Sequence, residues 1–264
     1  MEYGTPMTDL PPSNRDQLAS PSYRLAALDQ DFLLSEDMRG ARFLLEYDKA
    51  DLILKAHHIQ STIVVFGSAR TPRDSAWYEA ARAFGRLASE RGGALNDDGI
   101  ARKNVIATGG GPGAMEAANR GAMEAGAPSI GFNITLPHEQ TPNPYTTPAL
   151  TLNFHYFAMR KMHLAMRANA LVVFPGGFGT LDELFEILTL RQTRKAPLIP
   201  IVLFDEAYWR GVINFDALID HGMIEAADLT LFRFAETAED VWTSLLAQGL
   251  GAAHPNGGAA NKDV

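Results

Sequence analysis

Three short apolar runs of this chain each end in glycine. TIVVF at Thr62–Phe66 enters Gly67-Ser68. Val105–Thr108 enters Gly109-Gly110-Gly111-Pro112-Gly113, and Leu171–Phe174 enters Pro175-Gly176-Gly177-Phe178-Gly179-Thr180. Runs this short and this continuously apolar fit strands buried on both faces of a parallel sheet. Each is followed by a helical pattern: about 74–91, where Trp77, Ala80, Ala81, Phe84, Leu87 and Ala88 share a face, then to about Ala125, and from Thr180 to about Arg191. Further strands are expected at Ser129–Asn133, Leu150–Phe154, Leu198–Phe204 and 229–234, with helices over Tyr156–Arg167, 206–221 and 237–247. Strands alternating with helices give an α/β fold with a doubly wound parallel sheet, Rossmann-like, covered on both faces. Leu25, Leu28, Phe32 and Leu33, then Phe43, Leu44, Tyr47 and Leu54, predict an N-terminal helical extension from Tyr23 to about Ile59. Residues 1–22 and the run from Gly249 read as flexible tails around a single domain over 23–248. LPHEQTPNPYTTPAL (136–150), with four prolines, reads as a loop over the sheet.

Composition removes several classes of function. The formal net charge of −8 argues against nonspecific nucleic-acid binding, which requires a basic surface. Zero cysteines exclude disulfides, thiolate metal sites and cysteine nucleophiles. No apolar stretch approaches the ~18–20 residues of a membrane span, and the N-terminus lacks a basic start and an apolar core. A cytoplasmic location is expected.

In a doubly wound sheet, ligands bind beyond the carboxyl ends of the strands, where the strand order reverses. A glycine turn opening a helix offers backbone N–H groups and the positive end of the helix dipole, which suits a phosphate. Neither loop has the GxxxxGK[ST] spacing of a P-loop. Gly109-x-Gly111-x-x-Ala114 matches a relaxed dinucleotide fingerprint, but Asn133 stands where that motif needs an acidic residue, so no nicotinamide or flavin cofactor is expected. The plain alternative for the first loop is a tight strand-to-helix connection with Pro112 in the first helical turn. Thr180 and Glu183 fit a capping box, with Thr180 as N-cap. Glu183 is equally a carboxylate one turn from a phosphate loop, with Arg160-Lys161 upstream as the cations such a pocket needs. A solvated helix face is the plain alternative for that Arg-Lys pair. His155 and His163 lack a third ligand at metal spacing, and no Gly-x-Ser-x-Gly elbow is present.

PGGFGTLDE (175–183), AMRKMH (158–163) and GGGPGAMEAANRGA (109–122) together resemble the LONELY GUY family, cytokinin riboside 5′-monophosphate phosphoribohydrolases, in its longer bacterial type. The likeness runs from about Ile63 to Phe204. Members have often carried the label lysine decarboxylase, yet nothing in this sequence suggests a pyridoxal phosphate site. The resemblance implies hydrolysis of the N-glycosidic bond of AMP or N6-prenyl-AMP to the free base and ribose 5-phosphate. It places Arg160 and Glu183 on the catalytic pair. It places Lys161, Gly176, Gly177, Phe178, Gly179 and Thr180 on substrate-binding positions. Glu139 falls on the substrate-contacting glutamate, and Gly110, Gly111 and Ser68 fall at the pocket. No metal or cofactor is implied, and the partners implied are the nucleotide and further copies of the chain, with the N-terminal helices supplying contacts. Phe154, Phe157, Met159 and Phe178 are candidates for an apolar wall beside a prenylated base, against an ordinary place in the core.

Such a site makes chemical sense, because breaking the C1′–N bond builds oxocarbenium character on the ribose and a carboxylate against the sugar stabilises it. Glu183 could serve as nucleophile, base or electrostatic stabiliser. Arg160 stays protonated and suits forked binding rather than base catalysis. The rivals are a noncatalytic nucleotide carrier on the same fold, which would have no need of the Arg–Glu pair, and a phosphohydrolase, which usually needs a metal.

Overall fold

The computed structural model describes residues 13–97, 99–136, 141–195 and 199–251, and the chain divides into a unit ending at Glu46 and a larger one from Tyr47. The first unit contains α1 (Arg15–Ala19), α2 (Gln30–Leu33) and the start of α3 (Arg39–Ala56), separated by single turns of 3-10 helix. The continuous helix expected from Tyr23 is therefore broken until Arg39, and α1 lies inside the stretch expected to be a tail. Local capping explains the breaks. The Asp29 carboxylate accepts the Phe32 N–H and starts α2, and Arg42 donates to the carbonyls of Leu33 and Ser35 beyond its end. Leu25, Leu28 and Phe32, which the helical reading would bury, are 72%, 75% and 44% exposed.

The second unit carries the sheet. Its elements are β1 (Thr62–Phe66), α4 (Ala76–Arg91), β2 (Val105–Thr108), α5 (Ala114–Glu124), β3 (Ser129–Ile134), β4 (Thr151–Phe154) and α6 (Phe157–Met166). They continue with β5 (Ala168–Val173), α7 (Phe178–Gln192), β6 (Ile201–Phe204), α8 (Glu206–Val212), α9 (Phe215–Asp220), β7 (Arg233–Ala235) and α10 (Ala238–Ala247). The seven strands among the described residues are all parallel, in the order β4-β3-β2-β1-β5-β6-β7. The fold is thus doubly wound and Rossmann-like, as the alternating pattern requires.

Alternate residues of β1 enter opposite cores. Ile63 and Val65 pack with Tyr78, Phe84, Ala118 and Trp242 of α4, α5 and α10, whereas Val64 and Phe66 pack with Leu54, Leu164, Leu184 and Trp209 of α3, α6, α7 and α8. Burial of both faces is why these strands read as continuous apolar runs. The chain leaves β1 toward β2, β3 and β4, then returns to β5 on the other side, so the reversal of strand order falls between β1 and β5.

Several expected elements differ in detail: β5 begins at Ala168 rather than Leu171, and β6 begins at Ile201 rather than Leu198. The helix over 206–221 is two helices, because the Asn214 side chain accepts the Ala217 N–H and starts α9 afresh. The strand over 229–234 begins only at Arg233, after a 3-10 segment over Ala226–Leu231. Leu250, assigned to the C-terminal tail, is buried in the sheet core, with its N–H on the Leu245 carbonyl. No helix among the described residues is long and apolar enough to cross a membrane.

Candidate active site

Both glycine loops meet at the strand reversal, and Ser68 joins them. Its N–H donates to the Pro175 carbonyl at 3.0 Å, and its carbonyl accepts the Ala114 N–H at 3.1 Å. Gly113, the N-cap of α5, has φ of 70°, and a Cβ there would lie 2.3 Å from the Ser68 carbonyl oxygen. Only glycine meets both demands. Pro112 therefore precedes the helix rather than opening its first turn.

The second loop starts α7 earlier than the capping box requires. Gly177 is the N-cap and Phe178 the first helical residue, so Thr180 lies in the first turn and Glu183 in the second. No side chain caps this end, and the reciprocal Thr180–Glu183 cap is not formed. A helix start leaves its first N–H groups without helical partners, and nothing stands within 4 Å of the Cβ positions of Gly177 or Gly179. That end is open to an anion. Gly176 is the opposite case, since a Cβ there would lie 2.1 Å from Thr180 Oγ1. Phe178 is 92% exposed at the helix start.

Relieved of capping, Glu183 points at α6. Its Oε1 accepts from Arg160 Nη2 at 3.0 Å, and the two side chains are only 6% and 14% exposed. Arg160 lies against the Phe157 ring at 5.1 Å, and its Nη1 is 3.9 Å from the Cβ position of Gly109, which brings the pair to the first glycine loop. Arg160 Nε is buried without a hydrogen-bond partner. Burial pushes the Glu183 pKa above the ordinary carboxylate range; Arg160 and Lys161 oppose the rise without cancelling it. Lys161 turns elsewhere, to Asp182 at 2.7 Å and Glu186 at 3.0 Å. Burial pulls its pKa down, but those two hydrogen bonds outweigh it and leave the value raised.

The raised Glu183 pKa has a definite sign. If the carboxylate form does the chemistry, activity is full above that pKa and is lost as pH falls through it. The acid limb of the pH–kcat profile should then lie above the ~4.3 of an ordinary glutamate. An acid limb at or below that value would contradict the assignment.

The first loop is held from behind by a network that sequence reasoning did not anticipate. Gly110 N–H donates to Thr108 Oγ1 at 2.9 Å, and Gly110 O accepts from Asn143 N at 2.8 Å and Asn133 Nδ2 at 3.3 Å. Asn143 Nδ2 donates to Gly111 O and to Asn119 Oδ1, both at 3.0 Å. The proline-rich segment is thus partly core: Asn143 and Thr146 are 6% and 7% exposed. Its run of turn residues hid that role. Gly110 contributes a fixed backbone rather than a free N–H, and Asn133, in the place of the missing acid, fills the space beneath it.

Glu139 lies outside the described residues. Of the aromatic candidates, Phe154 is core, packed 6.1 Å from Phe132 and 5.6 Å from His163, and Met159 packs on the same core. Phe157, at 51% exposed, and Phe178 remain accessible. His163 is buried among Tyr47, Phe132 and Phe154, and burial, then Arg167, lowers its pKa.

Residues 115–245 match the family model described as "possible lysine decarboxylase". A probable cytokinin riboside 5′-monophosphate phosphoribohydrolase of Oryza sativa subsp. japonica is 26% identical over 187 residues, 70% of this chain and 76% of the relative. Among solved structures, a structural-genomics target is 22% identical with a TM-score of 0.51, covering 71% of this chain and 99% of its own. The molybdenum cofactor binding protein of the phototrophic bacterium Rippkaea orientalis is 18% identical with a TM-score of 0.50, covering 71% and 96%. At these identities, the two structures establish the shared fold alone.

Proposed function

We propose that this chain, which belongs to the LONELY GUY family, hydrolyses the N-glycosidic bond of a nucleoside 5′-monophosphate, AMP or its N6-prenyl form. The observation that carries the reading is the Arg160–Glu183 pair, buried beside the uncapped start of α7 at the point where strand order reverses. In this reading the phosphate sits at Gly177–Thr180, where the helix start supplies binding energy remote from the bond that breaks. The ribose then lies over Glu183. The C1′–N bond breaks, water oxygen bonds to C1′, and one water proton ends on the departing base. Glu183 stabilises the positive charge that develops on the sugar, and Arg160 holds Glu183 ionised and in place.

Lysine decarboxylation does not fit the lysine nearest this pair. A Schiff-base lysine is activated by a lowered pKa, whereas Lys161 is held protonated by Asp182 and Glu186.

Arg160→Ala tests the pair. It leaves Glu183 buried without its guanidinium, so its pKa rises further and the carboxylate population at neutral pH falls. Turnover of AMP should drop about 100-fold at neutral pH, and the acid limb of the pH profile should move upward. A lower rate with an unmoved limb would assign Arg160 to substrate binding alone.

A further inference from the structure

A side chain from outside both glycine loops holds the second one. Tyr208, in the first turn of α8, donates its hydroxyl hydrogen to the Gly176 carbonyl at 2.8 Å. Its ring meets Trp77 edge-on at 5.6 Å. Trp77 Nε1 in turn donates to Asp205 Oδ2 at 2.9 Å, while Asp205 Oδ1 accepts the Tyr208 N–H at 3.0 Å. Asp205 has φ of 71°, a conformation few side chains adopt and one that aspartate tolerates when its carboxylate bonds locally. Both oxygens of that carboxylate are used here. The start of α8 is therefore fixed by Trp77 of α4, and it fixes Gly176.

Gly176 O and Gly177 N–H belong to one trans peptide and point in opposite directions. A bond that draws the carbonyl toward Tyr208 turns the Gly177 N–H away from it, at the uncapped start of α7. Gly176 is also confined from its other side, where Thr180 Oγ1 and Ser68 N leave no room for a Cβ. We propose that Tyr208 is a positioning residue for the anion end of the ligand: its hydroxyl orients the 176–177 peptide so that the N-cap N–H can donate to a phosphomonoester. The inference rests on the phosphate site proposed above, and it assigns the β6–α8 turn a part in ligand selection.

Tyr208→Phe removes only the hydroxyl. Binding of AMP and of adenosine, measured by calorimetry on wild type and variant, separates positioning from general support. AMP affinity should fall about five-fold, the worth of one neutral hydrogen bond, with adenosine affinity unchanged and a cooperative melt retained. A merely structural role would weaken both ligands together or neither. Equal AMP affinities, parallel losses, or a wild type that binds no AMP would each overturn the inference. AMP that binds but is not hydrolysed would instead defeat the proposed reaction, and the affinity ratio would still decide the role of Tyr208. If Tyr208→Phe does not fold, Trp77→Phe, which withdraws the indole bond from Asp205, is read in the same way.

Discussion

Glu183→Gln leaves the fold intact and lowers kcat for AMP by about 10²–10³-fold, the usual cost of removing one preorganised electrostatic group. Folding survives because glutamine has the same shape and its carbonyl oxygen can still accept from Arg160 Nη2. Loss of the carboxylate leaves the Arg160 guanidinium, 14% exposed, without a counter-charge, which lowers stability, and the retained hydrogen bond and the Phe157 ring moderate that cost. The start of α7 is also unaffected, since Gly177 begins it and Glu183 takes no part in capping. AMP affinity should change far less than kcat, because the proposed phosphate site lies at the helix start rather than at the carboxylate. Single-turnover rates with calorimetric AMP binding check both halves. A folded variant with wild-type kcat would remove Glu183 from the chemistry.

Gly121→Ala should destabilise the protein by about 3 kcal/mol, the upper range for overpacking. In an ordinary helix interior the same change stabilises by up to ~1 kcal/mol. Here a Cβ would lie 2.0 Å from the Arg82 carbonyl oxygen and 2.6 Å from Arg86 N, both backbone atoms of α4. Gly85 repeats the arrangement from α4, with its Cβ position 2.2 Å from the Ala118 carbonyl oxygen. The two helices can cross this closely only without those side chains, and α5 cannot retreat without moving the glycine loop at its start. Gly211→Ala, in a helix with no atom within 4 Å, is the control and should not destabilise. Urea unfolding of the two variants measures the difference, and equal stabilities would contradict the packing argument.

The strands were legible because burial on both faces leaves continuous apolar runs, and Thr62–Phe66 and Val105–Thr108 have the expected limits. The first helices were not. Leu25, Leu28 and Phe32 keep helical spacing through turns set by Asp29 and Arg42, so periodicity alone could not locate the breaks. The Thr180–Glu183 spacing is that of a capping box, but Gly177–Gly179 take up the helix first. A glycine pair usually argues against that, and the close fit of Thr180 over Gly176 accompanies it. Arg160 and Glu183, 23 residues apart, were legible through motif resemblance, and the fold brings them to 3.0 Å. Tyr208 and Asn143 left no such signal. Each acts through a hydrogen bond to a glycine carbonyl 32 positions away, and a backbone acceptor carries no sequence mark.

Incubation of the purified chain with AMP, followed by chromatography for base, nucleoside and sugar phosphate, tests the central claim most directly. The account predicts adenine and ribose 5-phosphate in equal amounts from the wild type, and neither from Glu183→Gln at comparable protein concentration. Adenosine with inorganic phosphate, or AMP recovered unchanged from a protein that binds it tightly, would contradict it.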